Sequence, residues 1–90
     1  MKNWKEKLRV AAMLLVGLFL VACASKATKA VEKVELGQKY LTELNYTEAV
    51  ASFTEAIGLD PENIPAYMGR AEAYVALKQY DDAKADYTTA

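Results

Sequence analysis

The sequence predicts an all-α fold: tandem helix–turn–helix hairpins forming a segment of an α-solenoid, preceded by an N-terminal signal-peptide helix. Three observations predict it. Residues 31–56 resemble residues 65–90 when the chain is shifted by 34. Apolar and small residues recur at steps of three and four within each copy, which is helical spacing, and no segment alternates with period two. Ahead of the copies, a basic start leads into one unbroken apolar run.

The amino-terminal elements come first. Residues 1–9 carry Lys2, Lys5, Lys7 and Arg9 against Glu6. Residues 10–22 are thirteen apolar positions in a row, and Cys23 ends the run. This order makes 1–22 a secretory signal peptide. Thirteen residues span about 20 Å as a helix, short of a bilayer core about 30 Å thick, so a permanent span is disfavoured. Leu20-Val21-Ala22-Cys23 is similar to the lipobox of bacterial lipoproteins. That resemblance implies cleavage before Cys23 and a diacylglycerol on its thiol, with no other cofactor. Two acyl chains would hold such a protein stably on a membrane. Ala22-Cys23-Ala24 also fits ordinary A-x-A cleavage, which would discard the cysteine. Residues 23–30 are then the lipidated cysteine and a short tether, and their alanines and lysines would equally suit the first turns of the next helix. Lipidation places the exported part at the cell membrane or outer membrane, on the extracytoplasmic side.

Residues 31–63 form the first repeat and 64–90 the second. Six of the twenty-six aligned positions are identical, among them Tyr40 with Tyr74, Tyr46 with Tyr80, Ala49 with Ala83, and Ala56 with Ala90. Val34, Gly37, Tyr40, Leu41 and Leu44 make one helical stripe, and Tyr46, Ala49, Val50, Phe53, Ala56 and Ile57 the next. Tyr67, Ala71, Tyr74 and Val75, then Tyr80, Ala83, Tyr87 and Ala90, repeat them. Asn45 and Lys78-Gln79 separate the helices inside each unit, and Thr47 and Asp81 are expected to cap the second helices. Asp60-Pro61-Glu62-Asn63 separates the units. Asn63 is placed to cap the third helix, with Pro65 in its first turn, where a missing N–H is harmless.

A period of 34 built this way resembles the tetratricopeptide repeat. The first unit carries the pattern at Leu36-Gly37, Tyr40, Tyr46, Ala49, Phe53, Ala56 and Pro61, and departs from it at Lys33, where an aromatic is expected. The second carries it at Tyr67, Ala71, Tyr74, Leu77, Tyr80, Ala83, Tyr87 and Ala90, and has Arg70 in place of leucine. These are packing positions: Gly37, Ala71, Ala49 and Ala83 are small where helices cross closely. Phe53, Tyr87, Tyr40 and Tyr74 are expected to fill the space between hairpins.

The resemblance also implies a function. Tetratricopeptide arrays bind extended peptides or partner helices in a groove lined by the first helix of each hairpin. Carried over by position, the groove would be lined by Val34, Gln38, Leu41, Thr42, Met68, Glu72, Val75 and Ala76. The subclass that grips a terminal carboxylate needs lysine and asparagine where this chain has Val34, Gln38, Met68 and Glu72, so that clamp is not formed. An apolar floor suits a hydrophobic peptide or an amphipathic helix. The same residues would serve equally as inter-helix core or plain surface.

Composition narrows the partners. From Cys23 onward there are seven basic and eleven acidic side chains, so the body is mildly acidic and nucleic acid is not an expected partner. There is no histidine, and one cysteine makes neither an intrachain disulfide nor a cysteine zinc site. No phosphate loop, nucleophile–base pair or metal-ligand cluster is present, so no catalysis is expected. Asp81-Asp82 and the Glu43/Glu48 pair read as solvated charges and helix-start acids. Ala90 falls at the twenty-seventh position of the second unit, which suggests a longer array or self-association through an open final repeat. The expected function is a lipid-anchored scaffold for other proteins, in envelope assembly or recruitment. The alternative is the amino-terminal arm of a larger envelope enzyme whose catalytic domain lies beyond residue 90.

Overall fold

A computed structural model describes residues 25–90, which are helical with short turns between. The signal peptide of residues 1–22, the lipobox and Cys23 lie outside the described residues. Helix α1 is described over 25–42, α2 spans Tyr46–Leu59, α3 Ile64–Ala76 and α4 Tyr80–Thr89. Neighbouring helices pack in chain order: α1 meets α2 through Phe53 under Gly37, α2 packs on α3, and α3 on α4. Two hairpins, α1–α2 and α3–α4, therefore stack side by side. None of the described helices is long and apolar enough to cross a membrane.

The tether expected over residues 23–30 is corrected where it is described. Residues 25–30 are helical and form the first described turns of α1, and Ala30 is fully buried. Alanine and lysine are good helix formers, and burying Ala30 anchors the added turns.

Each hairpin turns in the same way. Asn45 N–H donates to the Tyr40 carbonyl at 2.8 Å and Leu44 N–H to Leu41 at 3.1 Å. Gln79 donates to Tyr74 at 2.8 Å and Lys78 to Val75 at 3.0 Å. This is the Schellman pattern, which closes a helix through one left-handed residue. That residue is Leu44 in the first hairpin and Lys78 in the second, both at φ 63°. Leu44 therefore leaves the apolar stripe in which the sequence placed it and is 69% exposed. A side chain in the left-handed region costs about 1 kcal/mol, which glycine avoids. Lys78→Gly should raise the unfolding free energy by about 0.5–1 kcal/mol in urea, while Lys78→Ala, which keeps the clashing Cβ, gives no gain. A glycine variant no more stable than the alanine one would mean that the turn carries no strain.

The same turns displace the expected caps. Asn45 and Gln79 are the N-cap residues of α2 and α4, and neither uses its side chain. Thr47 and Asp81 lie inside the first turns, because the Schellman geometry starts each helix two residues earlier than expected. Asp81 and Asp82 still complement the positive end of α4. Between hairpins the sequence reading holds: Asn63 Oδ1 accepts from Ala66 N–H at 3.1 Å, and Pro65 is in the first turn of α3. Asp60 Oδ1 accepts from Glu62 N–H, and Tyr67 donates its hydroxyl to the Pro61 carbonyl at 2.9 Å.

The core is made of small residues around one ring. Ala49, Phe53, Ala56, Ala66 and Ala73 form the buried cluster, with Val34, Tyr40, Leu41, Tyr46, Val50 and Ile57 packed against it. Phe53 is the only large side chain fully buried among the described residues. A Cβ added at Gly37 would stand 2.7 Å from the Phe53 ring, and one at Gly69 closer still. Two glycines on two different hairpins thus give the ring its slot. Ala71 and Ala83 are buried as expected, and Tyr74 is half-buried. Tyr80 and Tyr87 are 62% and 51% exposed, and Ala90 and Pro61 are exposed too. Tyr87 corresponds to Phe53 but has no following helix to enclose it among the described residues.

Candidate interaction groove

Helices α1 and α3 carry the eight residues assigned to the groove. Val34 and Leu41 are half-buried against the core cluster, so they belong at least as much to the interior as to a binding face. Gln38, Thr42, Glu72 and Ala76 are exposed, as are Met68 at 51% and Val75 at 44%. Thr42 donates its hydroxyl to the Gln38 carbonyl at 3.0 Å within its own helix. Burying the exposed parts of Met68 and Val75 would be favourable at about 25 cal/mol per Å².

Gln38, Met68 and Glu72 come together around one cavity of about 340 Å³, which Pro65, Gly69 and Tyr87 complete. The sequence reading missed the last three. Pro65 and Gly69 were legible as first-helix residues, each one turn from Met68 or Glu72. Tyr87 belongs to the second helix of its hairpin, and only the stacking of helices brings it to this face. A larger cavity, about 540 Å³, is lined by Lys29, Glu32, Lys33, Glu55, Gly58 and Leu59. There Lys33 Nζ meets Glu55 Oε2 at 2.9 Å, with both side chains substantially exposed. The hydrogen bond to Glu55, and then its charge, hold the Lys33 ammonium above its ordinary range. The position where the family pattern wants an aromatic is thus filled by an inter-helix ion pair.

The second departure from the pattern is Arg70. Its Nε donates to Asp86 Oδ2 at 2.8 Å and its Nη2 to Asp86 Oδ1 at 2.7 Å, a two-pronged pair between α3 and α4. Nη1 donates to Thr54 on α2 at 3.2 Å. The guanidinium carbon lies 5.9 Å from the centre of the Tyr67 ring and 5.8 Å from that of Tyr74, within cation–π range. The hydrogen bond to Asp86 raises the Arg70 pKa above its already high ordinary value, against an opposing desolvation. A guanidinium held that high stays charged throughout the physiological range, so deprotonation of Arg70 would break the pair only in strong alkali. Among the described residues no group of acidic or sulfur ligands is arranged to hold a metal ion.

Two hairpins with equivalent turns, spaced by 34 residues and locked by a ring in a two-glycine slot, define the repeat. Residues 40–85 match the family model described as tetratricopeptide repeat. The chain belongs to the tetratricopeptide repeat family. It is 43% identical over 75 residues to DnaJ homolog subfamily C member 7 of Mus musculus, covering 78% of this chain and 15% of that protein. It is 42% identical over 55 residues to small glutamine-rich tetratricopeptide repeat-containing protein beta of Rattus norvegicus, covering 61% and 18%. It is 49% identical over 41 residues to the protein SGT1 homolog of Oryza sativa subsp. japonica, covering 46% and 11%. The chain spans less than a fifth of the length of each. No solved structure matches it. As a family, tetratricopeptide repeats are interaction modules and generally not catalysts.

Proposed function

We propose that this chain is a protein-interaction scaffold that receives a segment of a partner protein on the α1–α3 face and is displayed from a membrane by a lipid on Cys23. The observation that carries the scaffold reading is the exposed apolar pair Met68 and Val75 on the first helix of the second hairpin, beside the cavity at Gln38 and Glu72. Monomer surfaces scatter such residues singly. Here they share one face with a concavity, which is the form an extended or helical segment needs. The membrane half of the proposal is supported by sequence alone: a basic start, thirteen apolar residues and Leu20-Val21-Ala22-Cys23. On that reading the protein works at the cell membrane or outer membrane, on the extracytoplasmic side, in the assembly or recruitment of envelope proteins.

One experiment addresses both halves. A photo-reactive amino acid at Val75 should trap a discrete protein adduct in cells, while one at exposed Glu48 on α2 should not. Cys23→Ala should abolish fatty-acid labelling and move the protein out of the membrane fraction. Equal trapping at both positions would remove the groove, and unchanged labelling would remove the anchor.

A further inference from the structure

The cavity on the α1–α3 face carries a specific chemical preference. Its lining holds one formal charge, the carboxylate of Glu72. Two further groups suit the same kind of guest: the Gln38 amide, whose oxygen accepts hydrogen bonds, and the Tyr87 ring, whose faces are electron-rich. No lysine or arginine lines it. Among the described residues, the side chains of Glu72, Gln38 and Tyr87 take part in no hydrogen bond or ion pair, so their binding capacity is unspent. Met68, Pro65 and Gly69 supply an apolar wall that fits an aliphatic stem. The wider charge agrees: residues 25–90 carry seven basic and eleven acidic side chains, and Arg70 is already committed to Asp86.

We propose that this cavity takes the basic side chain, arginine or lysine, of an otherwise apolar partner segment lying along α1 and α3. This rests on the groove reading above and adds the identity of its polar anchor. The guest cation pairs with Glu72, lies against Tyr87 and donates to the Gln38 amide, while its methylenes cover Met68. Arginine fits better than lysine, because its flat guanidinium can engage a carboxylate by two hydrogen bonds and stack on a ring at once. A segment ending in a free carboxylate is disfavoured, because it would bring like charge to Glu72.

The test uses three capped peptides of one leucine–alanine sequence, with arginine, glutamine or glutamate at the central position, titrated by fluorescence anisotropy onto the full chain in detergent. The arginine peptide should bind about ten-fold tighter than the glutamine peptide, from one exposed ion pair and one cation–π contact, and the glutamate peptide weakest. The arginine preference should shrink as salt rises. Glu72→Gln, at an exposed position, should bring the arginine and glutamine peptides close together without changing helicity. Equal binding of those two peptides by the parent, or a preference that survives Glu72→Gln, would overturn the cation site. If all three bind alike and Val75→Glu abolishes them together, the groove stands and only its charge preference falls. Binding by none overturns the cation site, and leaves the scaffold itself to the cross-linking at Val75.

Discussion

Phe53→Ala should leave the hairpins largely unfolded at room temperature, read as loss of the helical circular-dichroism signal. Phe53 is the one large side chain wholly enclosed among the described residues, and its neighbours in the core are alanines. Truncating a buried phenylalanine to alanine costs about 3–5 kcal/mol, part from lost burial and part from the cavity left behind. A unit of this size has a total stability of about 3–10 kcal/mol, so the loss takes much or all of it. The surroundings cannot close the gap cheaply. The ring faces Gly37 and Gly69, which have no side chain to swing inward, and the helix backbones are fixed by their own hydrogen bonds. A variant that kept a cooperative melt within 1 kcal/mol of the parent would show that the two hairpins are not keyed together by this ring.

That keying also marks how far the sequence could be read. The shift of 34 reveals equivalent residues, and it correctly exposed Gly37 with Ala71, Ala49 with Ala83, and Phe53 with Tyr87. Equivalent residues are not contacting residues. Phe53 touches Gly37 sixteen positions behind it and Gly69 sixteen ahead, and neither pairing appears when one unit is laid over the next. Gly69 was therefore passed over, although it is the nearer of the two to the ring. Stripe membership matched burial at Ala49, Phe53, Ala56, Ala71 and Ala83, and failed at Leu44 in the turn and at Val75, Tyr80 and Tyr87. Leu44 has the right spacing for the stripe, but it closes the Schellman turn and faces outward. By register Tyr87 matches buried Phe53 and Tyr80 matches half-buried Tyr46, yet both are half or more exposed, because burial depends on what stacks next and not on the residue type. In the groove, spacing identified the right helices but not which side chains turn inward, so Val34 and Leu41 lie against the core and Tyr87 went unnoticed.

Asp86→Ala should destabilise the protein by about 3 kcal/mol, more than any exposed substitution on α4, because it strands a half-enclosed guanidinium. Asp86 is 6% exposed and Arg70 19% at the side chain, so neither charge is freely hydrated. The pair bridges α3 and α4, and Thr54 ties it back to α2. It also occupies a pair of equivalent positions: 34 residues earlier, Arg70 corresponds to Leu36 and Asp86 to Ser52. The first hairpin fills those places with an apolar and a small polar residue, and the second with two charges. Buried ion pairs contribute little net stability when compared with a well-packed apolar replacement, but removing one partner is severe. Arg70→Leu alone should therefore cost about as much as Asp86→Ala, since it leaves a buried carboxylate without a cation. Arg70→Leu with Asp86→Ser, which gives the second hairpin the residues of the first, should recover most of the loss and come within about 1 kcal/mol of the parent. Chemical denaturation of the four proteins closes the cycle. A double variant as unstable as the sum of the singles would mean that the two residues act independently, and that the arginine is held by Tyr67, Tyr74 and Thr54 rather than by its carboxylate.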